Sequence, residues 1–124
     1  MSIRDPKLIA LLFNECITNR DIDGLAELMT DDHTFIDRDG NATQSKGSMI
    51  EAWKKFFEMF PVYKNTFTRI ESRDNVAVIL GHAYWSDKQP FDPAIWVATI
   101  AEDRVAKWQI YYDTDENRKS LKLI

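Results

Sequence analysis

The spacing of apolar side chains changes from three or four residues in the first half of the chain to two in the second. Residues 5–19 begin with Asp-Pro, a typical helix start, and repeat apolar side chains at helical intervals. A second, shorter helix is predicted after Asp21. A third is predicted over residues 48–60, with a strongly aromatic face, and Pro61 prevents its continuation. The first half of the chain therefore predicts three helices.

The second half alternates apolar and polar positions as strands do. In the first of these strands the alternation slips between Phe67 and Ile70, which indicates a β-bulge. Residues 114–124 are polar and then weakly apolar, and we expect them to be partly mobile. The predicted strands cover residues 63–72, 76–86, 94–101 and 105–113.

Residues 32–40 alternate as a short strand between the second and third helices, so His33, Phe35 and Asp37 share one face. If this face borders an apolar cavity, burial raises the pKa of Asp37 and suits it to act as a general base. The alternative is that Asp37 forms the turn before Gly40. For His33, a position at a helix end or on the surface is the alternative to a catalytic role.

Three helices followed by four long antiparallel strands, with one short strand between the second and third helices, predict an α+β fold. We expect a single domain over residues 1–124, because no flexible linker or repeat divides the chain. A strongly curved sheet wrapped round three N-terminal helices would make a cone-shaped barrel with a hollow interior.

Charge and composition exclude several classes of function. The net charge of −4 and the absence of a Lys/Arg stripe argue against nucleic acid as a partner. The single Cys16 cannot form an internal disulfide, and no Cys/His cluster has zinc spacing, so we expect no metal and a cytoplasmic location. The apolar run at residues 8–13 is too short for a membrane span or signal peptide. No nucleotide-binding motif is present, and we expect no organic cofactor.

Four stretches of the sequence, together with the order of the predicted elements, carry a family resemblance: residues 21–28, residues 31–37, Lys46-Gly47 and residues 105–113. They resemble the nuclear transport factor 2-like superfamily, and within it the SnoaL-like polyketide cyclase and ketosteroid isomerase group. The resemblance extends over residues 5–113 and implies a cystatin-like roll.

The same resemblance places the ketosteroid isomerase base on Asp37. The family's two oxyanion donors fall on Phe13 and Val97, and a supporting tyrosine falls on Lys54, so none of these three groups is kept. Loss of one such donor typically slows the reaction by about a hundredfold or more. The sequence therefore argues against steroid isomerisation by the family's mechanism.

The resemblance also implies a pocket, in which Asp37, Tyr112 and His33 are the catalytic candidates. The small side chains of Gly81 and Ala83 would leave room for a ligand. The implied ligand-binding residues are Phe13, Phe35, Trp53, Phe57, Ile79, Gly81, Ala83, Trp85, Ile95, Val97, Trp108 and Ile110.

Two functions follow from such a pocket, and the sequence does not choose between them. One is an isomerase-type or cyclase-type enzyme, in which Asp37 moves a proton on a small hydrophobic molecule. The other is a non-catalytic module that binds such a molecule. A third reading is an interaction protein that uses the outer sheet face, which carries His82, Tyr84 and Tyr111. In relatives this face packs against a second subunit, which implies a homodimer.

Overall fold

A computed structural model describes residues 5–124, and in it six strands form a single curved, mostly antiparallel sheet. The strands are β1 (Met29–Ile36), β2 (Ala42–Gln44), β3 (Lys64–Arg73), β4 (Val76–Tyr84), β5 (Asp92–Ala101) and β6 (Arg104–Tyr112). Their order across the sheet is β2-β1-β6-β5-β4-β3, and β1 and β6 run parallel. The described helices are α1 (Pro6–Thr18), α2 (Ile22–Glu27), α3 (Lys46–Met59) and α4 (Asp115–Ser120).

The predicted α+β class is confirmed, but the arrangement of three N-terminal helices is not. Residues 5–124 contain four helices, and α3 follows the first two strands. The fourth helix lies in the segment that the sequence predicted to be partly mobile. Thr114 caps it by accepting a hydrogen bond from the main-chain N–H of Asn117, and Leu123 beyond it is buried.

Polar side chains cap the N-termini of the first three helices. The side chains of Asp5 and Asp21 accept hydrogen bonds from main-chain N–H groups two and three residues further on, as predicted for N-cap residues. Helix α3 begins two residues earlier than the sequence predicted, because Ser45 rather than Ser48 is its N-cap. The hydroxyl of Ser45 accepts a hydrogen bond from the N–H of Ser48.

The predicted bulge in β3 is confirmed, since the pairing of β3 with β4 shifts register between Phe67 and Arg69. This bulge explains Gly81. A Cβ atom at Gly81 would lie 2.0 Å from the main-chain oxygen of Thr66. Gly81 therefore permits close approach of β3, rather than leaving space for a ligand as the sequence suggested.

The two faces of the sheet carry separate clusters of buried side chains. The face toward α1 and α3 holds the main core, which includes Phe13, Trp53, Trp96 and Trp108. On the opposite face, a smaller cluster contains Val78, Leu80, Ile95, Val97 and Leu123.

The predicted placement of Ile95 and Val97 in the pocket wall is therefore wrong. In the β5–β6 pairing, Trp96 lies opposite Ile110. Because directly paired residues share a face and neighbours along a strand alternate, Ile95 and Val97 point to the other side. Trp96 takes the inward position.

Replacing Gly81 by alanine should destabilise the domain by about 2 kcal/mol or more, because the added methyl group clashes with main-chain atoms of β3. Gly47→Ala is a matched control, since nothing lies within 4 Å of a Cβ at this position in α3. Urea denaturation should show the control to be unchanged or slightly more stable. Equal stability of Gly81→Ala and the unsubstituted chain would contradict this account.

Candidate functional site

A cavity of about 370 Å³ lies between α3 and the inward face of the sheet. All six strands, or the turns next to them, contribute to its lining. The lining residues are Phe35, Asp37, Arg38, Asp39, Thr43, Met49, Ala52, Trp53, Phe56, Tyr63, Asn65, Ala83, Trp85, Asp92, Ala94, Trp96, Trp108, Ile110 and Tyr112.

Aromatic rings make up much of the wall, and all four tryptophans of the chain belong to it. Trp53 and Phe56 lie three residues apart on α3 and therefore face the same side. Their ring centroids are 5.5 Å apart in an edge-on arrangement, and Phe56 lies 5.7 Å from Trp85. Such edge-on pairs hold one another in place, which keeps the wall rigid.

Three lining residues carry a buried polar atom that has no hydrogen-bond partner among the described residues. They are Trp53 through Nε1, Trp96 through Nε1 and Asn65 through Oδ1. Their exposed fractions are 7%, 1% and 8%, respectively. Leaving a buried polar group unpaired typically costs about 1–3 kcal/mol. These three atoms are therefore buried within the wall of the cavity without a partner, at a cost to the stability of the fold.

Tyr63 also lines the cavity and is 5% exposed. Burial raises the pKa of its hydroxyl well above the ordinary value, although a hydrogen bond from the Asn65 side chain opposes the shift. The hydroxyl therefore stays protonated at neutral pH and presents no charge to the cavity.

An ion pair lies at the cavity's polar edge. Arg38 donates two hydrogen bonds to the carboxylate of Asp92, of 3.0 and 2.9 Å, and Trp85 Nε1 donates a third of 2.9 Å. The Arg38 guanidinium also lies 4.8 Å from the ring centre of Tyr112. The Tyr112 hydroxyl in turn donates to Asp39 over 2.8 Å. These contacts join the turn after β1 to β5 and β6.

The sequence did not identify Arg38 or Asp92. They are 54 residues apart, and no local pattern indicates that they pair. Burial alone would raise the pKa of Asp92, but the hydrogen bonds from Arg38 and Trp85 outweigh it, and the pKa is lowered.

Asp37 lines the cavity, but its carboxylate is engaged in the turn. It accepts hydrogen bonds from the N–H groups of Asp39 and Asn41, each of 2.9 Å, and from the Asn41 side chain over 3.3 Å. These bonds, the Asn41 N–H first, lower the pKa of Asp37. The expected rise by burial is therefore wrong, and the contacts are those of the turn-forming alternative.

His33 is fully buried, rather than lying at the surface. Its Nδ1 lies 2.7 Å from the carbonyl oxygen of Val105, so Nδ1 carries the proton and donates. Burial lowers the pKa of the ring, which is neutral at neutral pH as a result. The ring packs 5.9 Å from that of Phe13, and neither residue is among those that line the cavity.

The structure brings together eight of the residues predicted from the sequence: Phe35, Asp37, Trp53, Ala83, Trp85, Trp108, Ile110 and Tyr112. Phe13, Phe57 and Ile79 belong to or pack against the core outside the lining. The sequence missed Met49 and Phe56, although helical periodicity from Trp53 identifies both as neighbours on the same face of α3.

A second, more open groove of about 690 Å³ runs between the first two helices and the β5–β6 turn. It contains Cys16, whose thiol pKa is raised by burial and then by nearby carboxylates. Within residues 5–124, no three His, Cys, Asp or Glu side chains are grouped so that they could hold a metal ion. No helix in the same range has the length and apolar character needed to span a bilayer.

The sequence profile of the SnoaL-like domain matches residues 10–108. The chain therefore belongs to the SnoaL-like domain family. No curated protein has a sequence that matches it significantly.

Solved structures share the fold at low sequence identity. A proposed SnoaL-like polyketide cyclase from Shewanella putrefaciens has a TM-score of 0.78 at 13% identity, covering 99% of this chain and 89% of its own. An uncharacterised cystatin-fold protein from Novosphingobium aromaticivorans has a TM-score of 0.75 at 15% identity, with coverages of 87% and 98%. A protein with a ketosteroid isomerase-like fold from Catenulispora acidiphila, solved with trimethylamine, has a TM-score of 0.71 at 16% identity and covers 84% of each chain.

Replacing Asp92 by asparagine should lower stability by about 1 kcal/mol at pH 7, because the charged partner of Arg38 is lost. The folded-state pKa of Asp92 lies below the ordinary value of 3.8. The stability that the ionised Asp92 contributes is therefore complete above pH 3.8. It is lost as the pH falls through the folded-state pKa of Asp92. The difference between the two proteins in urea denaturation should narrow below about pH 4. Asp31→Asn, at an exposed site, controls for net charge. A difference that stays constant down to pH 2 would contradict this role.

Proposed function

We propose that this domain binds a small, largely apolar molecule in the cavity between α3 and the sheet. The observation that carries the proposal is the volume of about 370 Å³, lined by four tryptophans. Pockets for small ligands typically measure about 300–1,000 Å³ and combine apolar walls with a few polar groups. In this proposal the curved sheet closes round the ligand as a cone, with α3 across it.

The expected affinity is modest. A two-ring ligand with about eleven non-hydrogen atoms, each contributing roughly 0.5 kcal/mol, binds with about 5.5 kcal/mol. That free energy corresponds to a dissociation constant on the order of 0.1 mM. Screening must therefore use ligand concentrations near 1 mM.

At about 1 mM, 2-tetralone, a two-ring ketone, should stabilise the domain by about 1.4 kcal/mol and raise its melting temperature by about 4–7 °C. Ala83→Phe should abolish the shift, because Ala83 lines the cavity and the larger ring fills it. Differential scanning calorimetry measures both.

Ala101→Phe is the matched control, since Ala101 is exposed at the end of β5. It should keep the ligand-induced shift. No shift with any two-ring ligand, or an equal shift in Ala83→Phe, would reject the proposal.

A second candidate is proton transfer with Asp37 as base, and the position of Asp37 in the cavity lining favours it. The carboxylate would remove a proton from the carbon next to a ligand carbonyl and return one to the resulting enolate. The lowered pKa of Asp37 makes it a weak base, which argues for binding without catalysis.

Exchange of the α-protons of 2-tetralone in D₂O, followed by NMR, separates the two functions without knowledge of the natural ligand. Binding alone predicts exchange no faster than with the Ala83→Phe protein. Catalysis by Asp37 requires faster exchange that Asp37→Asn abolishes while ligand binding persists. Asparagine keeps a side-chain oxygen for the N–H groups of the turn, so the variant should fold.

The homodimer through the outer sheet face and the cytoplasmic location stay predictions. Leu121 and Leu123 pack on part of that face. A dimer through this face would therefore use the end of the sheet that carries His82 and Tyr84. The sedimentation coefficient in dilute solution distinguishes a monomer from such a dimer.

A further inference from the structure

We propose that Arg38 selects and orients the ligand, by donating hydrogen bonds to an uncharged acceptor, such as a carbonyl oxygen, at the polar edge of the cavity. This inference rests on the proposed ligand-binding function and adds the residue and the ligand group that decide specificity. The ligand's apolar rings then lie between α3 and the sheet, with the acceptor at the edge.

Arg38 is the one Lys or Arg among the described residues that line the cavity. Its side chain is 25% exposed, whereas Trp96 and Trp108 in the same wall are each 1% exposed. The guanidinium therefore lies where the cavity meets solvent, and a ligand can reach it without burying it completely.

Two contacts fix the orientation of the guanidinium. Its Nη1 and Nη2 donate hydrogen bonds of 3.0 and 2.9 Å to the two carboxylate oxygens of Asp92, which also accepts from Trp85. Its central carbon lies 4.8 Å from the ring centre of Tyr112. A donor that is already held in place loses little freedom when a ligand binds, which favours recognition.

The pairing with Asp92 leaves donors of Arg38 unused. A guanidinium carries five N–H bonds in one plane, and Asp92 accepts from two of them. The other three have no acceptor among residues 5–124. The Nε–H and the outer N–H of one Nη form a second edge of the plane, which can donate two bonds to one ligand oxygen.

The carboxylates at this edge, by contrast, already have donors. Asp92 accepts from Arg38, and Asp37 accepts from the main-chain N–H groups of its own turn. Asp39 is exposed and accepts a hydrogen bond of 2.8 Å from the Tyr112 hydroxyl. The group that lacks a partner at the edge is therefore a donor, and it requires an acceptor on the ligand.

Charge decides which kind of acceptor binds. Three carboxylates and one guanidinium line the cavity, so the lining carries a net charge of −2. A ligand carboxylate adds a further negative charge and must give up its hydration, and both effects weaken its binding. A ligand ammonium group suits the net charge, but it repels Arg38 and offers it no acceptor. A carbonyl oxygen accepts from Arg38 without either cost.

Three ligands on one skeleton test this order: 2-tetralone (ketone), 2-aminotetralin (cation) and 1,2,3,4-tetrahydro-2-naphthoate (anion). Titration calorimetry on the full chain at pH 7 should give the tightest binding for 2-tetralone. We expect 2-aminotetralin to bind about fivefold or more weakly, and the carboxylate about tenfold or more weakly. This order is measured on the unsubstituted protein and requires no variant to fold.

Arg38→Met keeps an unbranched apolar stem and removes every donor. It should weaken the binding of 2-tetralone by about fivefold or more, and it should not weaken that of 2-aminotetralin. Arg38→Lys keeps the charge but loses the planar edge, so its affinity for 2-tetralone should be intermediate. Arg104→Met removes an exposed cation outside the cavity and should leave both affinities unchanged.

Binding of the amine or the carboxylate as tightly as 2-tetralone would overturn the selection by Arg38 and leave the proposed binding function standing. An equal loss of affinity for 2-tetralone and 2-aminotetralin in Arg38→Met would also overturn it, because the role of Arg38 would then be structural only. An unchanged affinity for 2-tetralone in that variant would overturn it as well. No binding of any of the three compounds would reject the binding function itself.

Discussion

The site depends on one constraint, the register in which β5 pairs with β6. Trp96 lies opposite Ile110, and Ala94 lies opposite Tyr112. Because directly opposed residues share a face of the sheet, this pairing directs a large side chain and a small one of β5 toward α3. The neighbouring Ile95 is thereby committed to the opposite cluster. A shift by one residue would exchange the two faces and remove Trp96 from the cavity.

The cavity divides its polar groups between the edge and the interior. At the edge, Arg38, Asp92 and Trp85 satisfy one another, and Tyr112 is paired with Asp39. These contacts lower the pKa of Asp92, and they pair its charge with that of Arg38.

In the interior, by contrast, two indole donors and one amide oxygen are buried and unpaired. An apolar surround of this kind disfavours a charged ligand, because a buried charge must give up its hydration. The proposed binding function needs no charged group in the interior, whereas acid–base catalysis by Asp37 would need a carboxylate that the hydrogen bonds of the turn make a weak base.

Local patterns predicted much of the fold. The broken alternation at Phe67 indicated the bulge, and the alternation along β4 correctly separated Ile79 from Leu80. The pattern failed at residues 94–98, because five apolar residues in a row give no alternation from which to choose a face.

The pairing of Arg38 with Asp92 could not be predicted, because it joins positions 54 residues apart. The direction in which the pKa of Asp37 is shifted could not be predicted either. Its pKa depends on hydrogen bonds donated by the turn, which the sequence offered only as an alternative to burial.

The most direct test of the central claim is the NMR spectrum of ¹⁵N-labelled protein in the indole region. Each of the four tryptophans gives one Nε1–H signal, assigned by single Trp→Phe variants. Addition of 2-tetralone should shift the signals of tryptophans that line the cavity, in a saturable manner, because a bound ring changes their surroundings. Four unshifted indole signals at millimolar ligand would contradict the account.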